Sequence, residues 1–245
     1  MKKIRFISVL LAAALLALSL VSCDWGVNPV PDDNSSSQGD FSPHKFGVED
    51  AAVNGVKLGM TEEQVTAILG DPNEKQNITN DNFIYGEYTD YRYDNMNLTF
   101  YDVNEKGDFS LGIVYTDSPK VKFVNGLHVG STKDDILKTF TQDDDPQPLY
   151  MPGVEESFGD FIYGSMIKED FVYEKPEGEI QIAYINRYGE EDSGEYMMEY
   201  YYYPPLTWND GYTGFTGDCW SMVFYMDSET DTVTTIRLNH DLAEN

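Results

Sequence analysis

VNGVKLGMTEEQVTAILGDP, residues 53–72, is answered at residues 124–146 by VNGLHVGSTKDDILKTFTQDDDP. Asn54 and Asn125, Gly59 and Gly130, Thr61 and Thr132, and Val65 and Ile136 all share one offset of 71 residues. Farther on, Phe83-Ile84-Tyr85-Gly86 recurs as Phe161-Ile162-Tyr163-Gly164 at an offset of 78, which one small insertion within residues 142–160 reconciles. Order and spacing agree over both stretches, so the chain reads as an internal duplication.

Each copy opens with the same local physics. Thr61 is placed to cap a helix N-terminus, and Gln64 stands three residues on, where a capping-box partner belongs. Val65, Ile68 and Leu69 follow at helical spacing and predict one buried stripe, with Gly70 and Pro72 as the stop. In the second copy Thr132 and Asp135 take the capping places, Ile136 and Phe140 the stripe, and no Gly-x-Pro closes the helix.

After each helix the periodicity turns to strands. In the first copy these are expected at Phe83–Tyr88, Met96–Tyr101 and Leu111–Tyr115, with a hairpin loop at Asn104–Gly107. In the second copy they fall at Ile180–Ile185, Tyr196–Tyr203, Trp220–Met226 and Thr232–Leu238. The expected fold is α+β: a tandem repeat in which each unit packs a helical segment on an antiparallel β-sheet, with a concave sheet surface. Unit 1 spans residues 48–120; unit 2, with insertions, spans residues 121–245.

The N-terminus is read separately. Lys2, Lys3 and Arg5 precede an apolar run from Phe6 to Leu20, and Leu20-Val21-Ser22-Cys23 has the form of a bacterial lipobox. Residues 1–22 are therefore a lipoprotein signal peptide, too short in its apolar run for a membrane span, and Cys23 is the lipidated residue. Residues 23–47, rich in Gly, Pro, Ser, Asn and Asp, read as a flexible tether. The implied location is extracytoplasmic, held to a bacterial membrane by the N-terminal lipid. With Cys23 acylated, Cys219 is left without a disulfide partner and reads as a small core residue.

The chain carries 43 carboxylates against 16 Lys and Arg, a net charge of −27 that becomes −30 once the signal peptide leaves. Such a surface excludes nucleic acid as a partner, because phosphates demand Lys and Arg. His44, His128 and His240 show no metal-ligand spacing, and no nucleophile elbow or phosphate-cradling glycine loop is present. No catalytic residues, cofactor or metal are expected. Asp102, Asn104 and Asp108, and Asp227, Glu229 and Asp231, would suit calcium as oxygen clusters, but they are also ordinary hairpin-loop residues.

GMTEEQVTAILGDP and its echo GSTKDDILKTF resemble the repeat of the β-lactamase inhibitory protein family. The same stretch is similar to the single-copy unit of small outer-membrane assembly lipoproteins of the BamE group. The closing DGYTGFTGDCWSMVFYMDSETDTVTTIRLN strengthens the first likeness. The resemblance implies two helix-plus-sheet repeats that grip a partner protein, as an inhibitor or assembly factor, without catalysis. It carries a target-contacting role onto Phe215 in the Thr-Gly-Phe segment. It also implies an inserted acidic and aromatic loop at EYTDYRYDN, which nominates Asp90, Tyr91, Tyr93 and Asp94. Trp208 and Tyr212, beside the tyrosine-rich strand Tyr200–Tyr203, complete the expected binding set. The same aromatic residues suit stacking on sugar rings, so a carbohydrate ligand stands as the alternative to an envelope protein.

Overall fold

Both capping boxes form. The computed structural model describes residues 42–79, 86–102, 108–149, 157, 159–164, 166–167, 172–173, 180–186, 194–203 and 217–243. Thr61 Oγ1 accepts from Gln64 N and Gln64 Oε1 accepts from Thr61 N, starting helix α1 at Glu62–Leu69. Thr132 and Asp135 make the same reciprocal pair at the head of α2, Lys133–Thr139. The turns before the helices also match. Asn54-Gly55 (φ 51° and 82°) and Asn125-Gly126 (φ 51° and 78°) adopt the left-handed pair that Asn-Gly favours. The first of these turns joins a small hairpin, β1 (Ala52–Val53) to β2 (Val56–Lys57). Gly70, at φ 79°, ends α1, whereas α2 runs straight into extended chain at Phe140.

The helical stripe is narrower in α1 than its spacing predicts. Val65 is fully buried, Leu69 packs against the core in part, and Ile68 is 46% exposed. In α2, Ile136 and Phe140 are both fully buried.

The expected α+β tandem does not hold: the described chain is mostly β, and its two helices have only eight and seven residues. The strands are β3 (Glu74–Thr79), β4 (Glu87–Arg92), β5 (Asn97–Tyr101), β6 (Ser110–Thr116), β7 (Pro148–Leu149) and β8 (Gly159–Tyr163). A separate pair, β9 (Met166–Ile167) and β10 (Val172–Tyr173), precedes β11 (Ile180–Asn186), β12 (Glu195–Tyr203), β13 (Gly217–Asp227) and β14 (Thr232–Ala243). Ten of these form one antiparallel sheet in the order β3-β4-β5-β6-β14-β13-β12-β11-β8-β7. The seam is β6 against β14, where Tyr115 faces Arg237 and Val114 faces Leu238. Two separate helix-on-sheet units would each present an open edge of unpaired N–H and C=O groups, and this pairing closes both.

The core lies on one face of that sheet. Cross-strand partners Tyr91, Leu98, Val114, Leu238, Met222 and Tyr200 run in one line from β4 to β12. All are buried, and Val65, Ile136 and Phe140 from the helices join the same cluster. The long β13–β14 hairpin sits centrally and is buried on both faces over Ser221–Phe224, with Met222, Phe224 and Met226 joining Val233, Ile236 and Leu238 in the core. Chain read as the end of the tether belongs to this core. Phe46 is fully buried and its N–H donates to the Tyr163 hydroxyl at 3.1 Å. His44 and the chain beside Phe140 pair as a short bridge, so ordered packing begins before residue 48.

Strand β4 replaces two expectations. Of the strand expected at Phe83–Tyr88, Glu87 and Tyr88 open β4, Glu87–Arg92, and residues 83–85 lie outside the described residues. EYTDYRYDN is not an inserted loop. Thr89 and Tyr91 alternate into the core, which makes Glu87–Arg92 a strand and leaves only the residues after it to turn.

Candidate functional site

Strand alternation divides the nominated residues between the two faces. Tyr91 points toward α1: its ring stacks obliquely on Phe100 (centroids 4.8 Å apart), and its hydroxyl donates to Glu62 Oε2 at 2.8 Å. Asp90 points the other way and accepts from the Thr99 hydroxyl at 2.7 Å. Tyr93 donates to the Gly70 carbonyl at 3.1 Å, bracing the end of α1, and Asp94 accepts from Asn73 Nδ2 at 2.6 Å. These four residues do not form one patch. Cys23, Trp208, Tyr212 and Phe215 lie outside the described residues.

Tyr91 belongs to a three-membered cluster that its sequence context did not announce. Lys75 Nζ lies 2.7 Å from Glu62 Oε2 and 3.1 Å from the Tyr91 hydroxyl, and also sits 5.1 Å from the Tyr91 ring centroid. Burial opposes ionisation of Glu62, but the hydrogen bonds from Lys75 and Tyr91 outweigh it and hold the carboxyl below its usual range. Hydrogen bonding to Glu62 and Tyr91 likewise outweighs burial at Lys75 and raises the ammonium. Burial pushes the Tyr91 phenol up. At neutral pH the cluster is thus carboxylate, ammonium and neutral phenol. None of the three is poised to exchange a proton near neutrality. This cluster borders a cleft of about 750 Å³ between the first turn of α1 and strands β3 and β4, with Asn77, Glu87 and Phe109 among its walls. Its chemistry is that of an ion pair braced by a phenol.

The sheet face away from the helices carries a different population. In register across its middle stand Asn97, Tyr115, Arg237, Val223, Glu199 and Tyr184. Tyr115 is 39% exposed, and Tyr184, Tyr201 and Tyr225 are half-buried. Tyr184 and Tyr201 stack at 5.8 Å with 19° between planes, and the Tyr184 hydroxyl donates to Glu199 Oε2 at 2.7 Å. Burial drives the Tyr201 phenol far above its usual range. One strand pair along, Asn239 Nδ2 donates to the Ser221 hydroxyl at 2.9 Å. Of these residues only Tyr201 stood out in the sequence, within the tyrosine-rich strand Tyr200–Tyr203; a tyrosine alternating in a strand announces neither face until the register is known.

Among the described residues, no group of three or more His, Cys, Asp or Glu side chains is placed to hold a metal ion. In the β13–β14 turn, Asp227 Oδ1 accepts from Glu229 N, Thr230 N and the Thr230 hydroxyl, so its carboxylate closes the hairpin. Cys219 is buried.

Comparison with protein-family models, curated proteins and solved structures finds no significant match to this chain.

Proposed function

We propose that the chain is a lipid-anchored cell-envelope protein that binds another protein, without catalysis, through the sheet face opposite α1 and α2. The observation that carries this reading is the tyrosine-bearing face itself: Tyr115 stands exposed, with half-buried Tyr225 and the stacked pair Tyr184 and Tyr201 on the same side. Tyrosine buries large area while keeping a polar tip, the character of interface anchors. The Leu-Val-Ser-Cys sequence ending at Cys23 supports the lipid anchor. The −30 charge of the processed chain favours rapid encounter with a basic partner.

The full chain in mild detergent, immobilised and exposed to native envelope extract, tests the reading. A retained protein should lose about 1–3 kcal/mol of affinity for the Tyr115→Ala variant and a similar amount for Tyr225→Ala. Identical retention by parent and variants, or retention of glycans alone, refutes it. Cys23→Ala should abolish acylation, and unchanged acylation of that variant refutes the anchor.

A further inference from the structure

We propose that the free edge of β3 takes up an extended basic segment of a partner polypeptide as an added strand, with an arginine or lysine side chain seated in the cleft beside α1. This edge is apart from the tyrosine-bearing face, and the inference does not depend on that face. The two ends of the ten-stranded sheet differ. β7 closes one end with two residues, of which Pro148 has no N–H to offer a neighbour. β3 closes the other with six residues, Glu74–Thr79, in unbroken register with β4 and without a proline. Along such an edge alternate N–H and C=O groups point away from the sheet. Among the described residues nothing pairs with them, and all of β3 except half-buried Ile78 is exposed. Charges that would deter an incoming strand are engaged within the fold: Glu74 pairs with Arg92 at 3.0 Å and Lys75 with Glu62 at 2.7 Å. Residues 76–79 are uncharged.

The cleft decides what the added strand carries. Lys75, Asn77 and Thr79 alternate onto the side facing α1 and line the cleft of about 750 Å³, where the Thr89 hydroxyl donates to Asn77 Oδ1 at 3.1 Å. A strand laid along β3 sends every second side chain to that same side. Glu63 from the first turn of α1 and Glu87 from β4 are exposed on the cleft walls, and no cation among the described residues pairs with either. Half-buried Phe109 adds an apolar wall. A long apolar stem ending in a cationic head matches this combination, which selects arginine or lysine.

Other occupants match less of it. A second copy of the chain would set β3 against β3 with no cation to spare, and each copy carries a net charge of −27. A free amine would answer the carboxylates and leave the strand edge unused. In strand addition the main-chain hydrogen bonds supply affinity whatever the sequence, and the pocket for the alternate side chain supplies the selection. The acid excess of the chain draws basic segments toward both.

The test uses the full chain in detergent with N-terminally labelled Thr-Val-Thr-Arg-Thr-Val-Thr-amide, followed by anisotropy and by amide hydrogen exchange at β3. The peptide should bind saturably and slow exchange of the β3 amides. Its counterpart with glutamate in place of arginine should bind at least about tenfold more weakly. Glu63→Gln combined with Glu87→Gln should narrow that difference and leave the far-ultraviolet spectrum unchanged. An edge strand bonds only alternate residues of its neighbour, so N-methylating one alternate set of the peptide should abolish binding and N-methylating the other should preserve it. Equal binding of the two methylated peptides overturns strand addition. So does the absence of saturable binding, or argininamide binding as tightly as the peptide. Protection of β3 that rises with the concentration of the chain alone assigns the edge to a second copy and also overturns the proposal. Tyr115→Ala should leave peptide affinity unchanged; a loss there places the peptide on the opposite face and overturns the edge assignment. Failure of the peptide arms leaves the reading of the tyrosine-bearing face standing.

Discussion

Gly112 on β6 lies under the ring of Tyr101 from β5. The strands slip register here, since Thr99 faces Ile113 while Phe100 faces Leu111, so Gly112 is the extra residue of a bulge. A Cβ at position 112 would stand 2.1 Å from two ring carbons of Tyr101. Tyr101 is fully buried, and its hydroxyl donates to the His240 carbonyl at 2.7 Å, spanning β6 to reach β14. The ring therefore has no nearby vacancy to move into. For Gly112→Ala, relief requires either displacing a fully buried aromatic side chain, comparable to the 3–5 kcal/mol of large-to-small aromatic truncation, or shifting the strands at the seam. A loss of about 3–5 kcal/mol is expected, a large share of a typical domain's stability. With a urea slope of about 2 kcal/mol/M the unfolding midpoint falls by about 2 M. Tyr101→Ala alone should cost a similar amount. In that background Gly112→Ala should cost nothing further, or gain about 0.5 kcal/mol, because alanine loses less backbone entropy than glycine. A double-mutant cycle by urea unfolding reads the coupling directly. If the two substitutions add to within about 0.5 kcal/mol, the steric account is wrong.

Thr61→Ala and Thr132→Ala each remove a formed N-cap and should cost about 1 kcal/mol, measured by the same unfolding assay. A loss at only one of them would mean that the other helix start is held by packing alone. Phe140→Ala removes a fully buried ring 4.5 Å from Tyr200 and 6.0 Å from Phe46, and should cost about 3–5 kcal/mol. It should also open the His44 segment to limited proteolysis, and an unaltered cleavage pattern would show that this segment is held elsewhere. The Glu62 carboxyl sits below its ordinary 4.5 in the folded state, so its pairing stabilises the fold above that pH and is lost as pH falls through the lower folded value. Lys75, raised above 10.5, sets the opposite limit, its contribution being lost as pH rises through the folded value. Glu62→Gln should therefore lower stability near neutrality and flatten the acid limb of a plot of urea midpoint against pH. An unchanged acid limb counts against the cluster as a source of stability.

The features legible in the sequence are those decided within a few residues. Thr61 with Gln64, Thr132 with Asp135, and the Asn-Gly turns at residues 54 and 125 all form, because caps and two-residue turns depend on groups three or four positions apart. Strands β12, β13 and β14 are likewise near where alternation puts them, since burial of one face imposes a period of two. Strand β3 was illegible for the converse reason: Glu74–Thr79 is almost entirely exposed at the sheet edge, so nothing drives an apolar alternation. Tyr91 was nominated as a binding residue in an inserted loop; it stands instead in β4 with its hydroxyl on Glu62, because a loop and a half-buried strand can have the same composition of tyrosine and aspartate.

What the sequence by itself determined, then, was where helices start, where the tight turns fall and which stretches extend. Only the tertiary structure decided that β6 meets β14, joining strands more than a hundred residues apart into one sheet. That pairing puts Tyr115 beside Arg237 and fixes which face each tyrosine serves. The reason is physical: a cap satisfies its own backbone, but a strand's hydrogen bonds are met by whichever edge reaches it, and no local pattern records that choice.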